Sequence, residues 1–147
     1  MRLYSRILML GSAPQTRGSI AAVVDGYRAH GLFKRWPVTY VATQGAESIA
    51  QGVKLYATAV RDFGFALGQH GQMVAHAHIG AGAGFWREAP FMAAALAARC
   101  PLVMQLHGSG FDAVMRPFLE RAAAVCVPCE ATRAWVRSVS RNAFTVL

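Results

Sequence analysis

The 147-residue chain carries 15 Lys and Arg against 7 Asp and Glu, a net charge of +8, with 54% hydrophobic and 15% charged residues. A composition this apolar, at a length within one domain, excludes an intrinsically disordered chain, which lacks the apolar surface to offset chain entropy. The longest uncharged apolar run, Ala89 to Ala98, is about half of the roughly 20 residues a membrane-spanning helix needs, and the run Ile7 to Leu10 is shorter than the roughly 7–15 apolar residues of a secretory leader. The expected location is the cytoplasm.

Arg6 to Gly11 is a short apolar run closed by Ser12-Ala13-Pro14, as for a strand buried on both faces. After the polar stretch Gln15 to Ser19, the residues Ile20, Val23, Val24 and Tyr27 recur at helical spacing, with Ser19 as the expected N-cap and Gly31 just past the end. Val38 to Thr43, β-branched and aromatic, predicts a second strand. From Glu47 to Leu67, the residues Ile49, Val53, Tyr56, Val60, Phe63 and Leu67 predict one apolar stripe on a long helix. Met73 to Ile79 predicts a third strand, followed by the glycine-rich loop Gly80-Ala81-Gly82-Ala83-Gly84 and a helix with Pro90 near its first turn. Leu102 to Leu106 predicts a fourth strand running into His107-Gly108-Ser109-Gly110. A short helix at Pro117 to Arg121, a strand at Val125 to Pro128, a helix at Thr132 to Val139 and a strand at Phe144 to Leu147 complete the order. Such alternation predicts an α/β fold, a doubly wound, Rossmann-like parallel sheet with helices on both faces, in a single domain. The apolar, β-forming ending needs sheet neighbours, so the chain is expected to be cut from a longer protein.

Ligands of open parallel sheets bind outside the carboxyl ends of the strands. Four loops belong to that edge: Gly11 to Ser19, Gly80 to Arg87, His107 to Asp112, and Cys129-Glu130. Gly18 and Ser19 precede a helix, where free N–H groups favour an anion, or Gly18 merely permits a tight turn. The loop is neither a Walker A sequence nor a dinucleotide fingerprint. His76 and His78 share one face of a strand, and with His107 they match a three-histidine zinc site in residue type alone, so no metal is assigned. Cys126 and Cys129 form a C-x-x-C, but Cys126 falls inside a strand and reads as a small buried hydrophobe. Three cysteines give no disulfide scaffold. Trp86 and Arg87, beside the glycine-rich loop, suit a sugar or a phosphate. The positive charge rests on 13 Arg and 2 Lys, and Arg grips phosphate in a bidentate fashion. The arginines do not interleave with aromatics as in nucleic-acid modules, so no nucleic-acid partner is expected.

Taken together, Arg6 to Ala21, His76-Ala77-His78, Leu106-His107-Gly108 and Val125 to Glu130 resemble the N-terminal, acceptor-side domain of family 4 glycosyltransferases, retaining enzymes of GT-B fold. The resemblance implies that residues 1–147 are half of such an enzyme, with the donor-binding C-terminal domain absent and the isolated chain inactive. It implies transfer of a sugar from a nucleotide-sugar donor to a glycan or lipid-linked acceptor, in polysaccharide biosynthesis, with no cofactor beyond the donor. It implies His107 as the catalytic contact to the transferred sugar, and Gly18 and Ser19 at the donor phosphates. Arg17, His78, Trp86, Arg87 and Glu130 would face the acceptor or substrate. The partners it implies are the C-terminal donor domain and, through the basic surface, peripheral contact with an anionic membrane. The alternative is a non-catalytic module that docks to a separate donor domain or to such a membrane.

Overall fold

Apolar runs that can be buried on both faces alternate along this chain with segments patterned every three or four residues, and the structure follows that alternation. The computed structural model describes residues 4–69, 72–142 and 144–147. The fold is α/β and Rossmann-like, six parallel strands flanked by helices. Two compact units make up the chain, residues 1–74 and 75–147.

The first unit contains β1 (Arg6–Ser12), α1 (Ser19–Ala29), α2 (Leu32–Arg35), β2 (Val38–Gln44) and α3 (Ile49–Gly68). β1 and β2 pair in parallel from Ile7 opposite Val38 to Gly11 opposite Ala42, after which the register shifts and Ser12 meets Gln44. Met9, Ile20 and Val24 form a buried cluster, against which Ile7, Tyr27, Leu32, Phe33, Val38 and Tyr40 pack. Three expectations are corrected here. The N-cap of α1 is Gly18, with no side-chain cap, and Ser19 is already helical. Gly18 holds φ at 141°, where L side chains rarely go, so the turn into the helix is set by the glycine backbone rather than by a hydroxyl. The unpredicted α2 is only four residues long, too short to show a helical period. The predicted stripe of α3 coincides with its core face only in part: Phe63 is buried as expected, but Ile49, Val53 and Val60 are 89%, 66% and 53% exposed, and Ala59 and Ala66 complete the buried arc. Counting only large apolar residues misses the alanines of that arc.

The second unit holds most of β3 (Met73–Gly80), then α4 (Ala83–Ala97), β4 (Leu102–His107), a 3₁₀ turn at Ala113–Met115, α5 (Arg116–Arg121), β5 (Ala124–Cys126), α6 (Glu130–Val139) and β6 (Thr145–Val146). These four strands lie side by side in chain order, each parallel to the next. Ala75, Ala77, Ile79, Leu102, Met104, Leu106 and Val125 are fully buried in the strands, and Phe85, Met92, Leu119 and Val136 bury the helices against them. α4 starts at Ala83, within the glycine-rich segment, so Pro90 lies inside the helix and not in its first turn. α6 starts at Glu130 with Cys129 as its N-cap. Among the described residues, no helix is long and apolar enough to cross a membrane.

Candidate functional site

In the second unit, the parallel register places His78 opposite Gln105 and Gly80 opposite His107, at the carboxyl ends of β3 and β4. Strand alternation carries His76 and His78 to one face, and their rings stack with centroids 4.6 Å apart and 23° between planes. His78 Nδ1 lies 2.9 Å from His107 Nε2, so one hydrogen is shared between two imidazoles. His76 Nε2 donates to Gln105 Oε1 at 3.0 Å. The pattern is His-x-His on one strand against Gln-x-His on its neighbour.

This row is neutral at physiological pH. Burial pushes His78 down to about 2, and the adjacent His76 and His107 disfavour its charge further. Burial also lowers His107 to about 4, again with His76 beside it. His76 is lowered by burial despite its bond to Gln105. Neutral imidazoles hydrogen-bond in either direction but present no fixed cation. His78, 1% exposed, is sequestered behind His107, which is 9% exposed and nearer the strand end.

Gly108, at φ 88°, bends the chain directly after His107. The loop that follows meets the start of α6 around a cavity of about 190 Å³, lined by Ser109, Gly110, Phe111, Ala131, Thr132 and Trp135. The rings of Phe111 and Trp135 stand 5.8 Å apart at 36°. At the same helix end, Cys129 Sγ is 3.5 Å from Thr132 Oγ1. That hydrogen bond is the main reason the exposed Cys129 thiol titrates below its usual value. Cys126, by contrast, sits at the end of β5, where burial pushes its thiol up. The C-x-x-C is therefore split between a half-buried strand end and an exposed helix start, and both thiols are free.

Glu130 is exposed on the first turn of α6, with Oε2 3.4 Å from Arg133. Trp86 is 61% exposed on the first turns of α4, and Arg87 beside it is half-buried. In the first unit, Arg17 and Gly18 are exposed in the loop before α1, and Ser19 is exposed as the first residue of that helix. Among the described residues, no group of three or more His, Cys, Asp or Glu side chains is arranged to hold a metal ion. Sequence reasoning missed Gln105, although its spacing from His107 repeats that of His76 and His78. Phe111, Thr132 and Trp135 carry no local signal, because they meet only through the fold.

No protein-family model and no curated protein matches the chain. Among solved structures it is similar to the 2-deoxyribosyltransferase of the psychrotolerant bacterium Bacillus psychrosaccharolyticus, described as a biocatalyst for nucleoside synthesis. The TM-score is 0.51 at 10% identity, over 81% of this chain and 84% of that one. A likeness at this identity is one of fold. It corrects the expected resemblance to the acceptor-side half of a family 4 glycosyltransferase: the neighbour is neither a GT-B enzyme nor a nucleotide-sugar enzyme, and no family model supports that assignment. Sugar transfer from a nucleotide-sugar donor and a role in polysaccharide biosynthesis fall with it. The alternative of a module docking to a donor domain or a membrane gains no support. The physical reason is that glycine-rich and polar loops at strand ends recur in any parallel sheet that binds a ligand, so their order along the chain does not single out a family.

Proposed function

We propose that the chain is a glycosyl-group transferase acting on nucleosides, with its site at the carboxyl edge of β4 and β5. The observation that carries this reading is the cavity walled by Phe111 and Trp135, which opens two residues beyond the buried His107–His78 pair. Its volume of about 190 Å³ is below the roughly 300–1,000 Å³ of drug-sized sites, which suits one ring system and not a nucleotide sugar. Two aromatic faces favour a planar base, and stacking of a base on an aromatic side chain contributes roughly 1–3 kcal/mol. The fold shared with a 2-deoxyribosyltransferase supports the same substrate class.

In such a reaction the N-glycosidic bond of one nucleoside breaks and its electron pair leaves with the base, which takes up a proton. A second base then gives up a proton as it forms the new bond at the same sugar carbon. His107 has Nε2 engaged by His78, so Nδ1 is the nitrogen that meets substrate. As a neutral imidazole it hydrogen-bonds the departing base or a sugar hydroxyl without repelling the positive character that develops on the sugar. The Glu130 carboxylate, next to the cavity-lining Ala131, is the anionic group that offsets that charge.

The test is to incubate the purified chain with a deoxynucleoside and a different free base and to follow the exchanged nucleoside by chromatography, while titrating tryptophan fluorescence with the same nucleoside. Exchange, with a fluorescence change that Trp135→Phe abolishes, is the expected result. No exchange and no Trp135-dependent signal with purine or pyrimidine nucleosides would overturn the reading.

A further inference from the structure

At the other end of α6, a separate cleft of about 420 Å³ is lined by Ala113, Arg116, Arg137, Ser138, Val139, Ser140 and Arg141. Three arginines belong to that lining, which holds no acidic residue. Arg116 Nε pairs with Glu120 Oε1 at 2.8 Å, whereas Arg137 and Arg141 have no acidic partner among the described residues. One bland explanation is that these cations offset the negative end of the helix dipole. That end amounts to roughly half an elementary charge, and two uncompensated guanidinium groups exceed it. Both nearby hydroxyls already serve the helix end: Ser138 Oγ donates to the Trp135 carbonyl at 2.7 Å and Ser140 Oγ to the Val136 carbonyl at 3.0 Å. The carbonyls are thus partly satisfied and the arginines are left over. Like charges exposed on one small cleft repel one another, and a multiply charged oxyanion that accepts bidentate hydrogen bonds removes that repulsion.

We propose that the cleft of Arg116, Arg137 and Arg141 binds a small phosphate-bearing anion, at a site distinct from the aromatic cavity. A phosphoryl group provides the paired acceptor oxygens that a guanidinium fork matches, and a volume of about 420 Å³ accommodates a diphosphate or a sugar phosphate.

The experiment is a calorimetric titration of the full chain with inorganic pyrophosphate and, separately, with ribose 5-phosphate, each against sodium chloride at matched ionic strength. The expected result is saturable binding of at least one of them, weakened at least tenfold in the Arg137→Gln/Arg141→Gln double variant and unchanged in Arg61→Gln, which alters an exposed arginine on α3. The ligand that saturates at lower concentration identifies the source of the phosphate. Arg137 and Arg141 are exposed, so the double variant is expected to melt as the parent does, and Lys at both positions should restore only part of the affinity because the fork is lost. Absence of saturable binding, or an equal loss in Arg61→Gln, overturns the proposal.

Discussion

His107 is held from two sides: Gly108 turns the backbone immediately after it, and His78 occupies its Nε2. Replacing it with alanine removes the partner of a buried imidazole, and an unsatisfied buried polar group costs about 1–3 kcal/mol. His107→Ala should therefore lower both stability and base exchange, whereas His107→Gln, which can still hydrogen-bond His78, should keep the melting midpoint nearer the parent's. Loss of a transition-state hydrogen bond is worth about 10²–10³ in kcat, and kcat of His107→Gln within a factor of a few of the parent would remove the residue from the mechanism. Gly18 presents a different constraint. A side chain built there meets open space, so Gly18→Ala is opposed by the backbone at φ 141° alone. It should destabilise by about 1–3 kcal/mol, read as a lower urea midpoint. An unchanged midpoint would mean that the loop relaxes to another conformation.

At the scale of elements, α4 contains the least expected local feature, Pro90 eight residues into a fifteen-residue helix. A helix-interior proline removes an N–H bond and crowds the carbonyl one turn earlier, here that of Trp86, at a cost near 3 kcal/mol. Pro90 is exposed, so Pro90→Ala leaves the core untouched and should raise the thermal midpoint. A fall would show that the local bend it imposes is needed for packing. The existence of each strand and of the longer helices was legible in the sequence, because burial on both faces and the 3.6 period are local signals. The four-residue α2 and the 3₁₀ turn at Ala113–Met115 were not, since neither spans a full period of any pattern. The buried arc of α3 was read only at Phe63: the alanines at 59 and 66 that flank it were missed because small residues carry little weight in a hydrophobic count.

For the molecule as a whole, the buried histidines set the response to acid. Unfolded, each titrates near 6.5, but in the folded chain His107 accepts a proton only at about 4 and His78 at about 2. A depressed folded value means that the unfolded chain binds protons first as pH falls. Their stabilisation is therefore fully present above about pH 6.5 and drains as pH drops toward 4 and below, by up to about 1.4 kcal/mol per pH unit for each imidazole. The urea midpoint should fall steeply from about pH 6.5 down to about 4, and His78→Asn should flatten that slope; a parent profile level across this range would contradict the burial of the pair. The amino-acid sequence by itself determined the α/β class, the order of strands and helices, the net charge and the placing of His76 and His78 on one face, since each depends on composition or on spacing within one element. Tertiary structure alone decided that His107 closes onto His78, that Phe111 and Trp135 wall one cavity and that three arginines line one cleft. Those groups come from separate elements, and only the register of paired strands and the packing of α6 beside the loop after β4 set the distances between them.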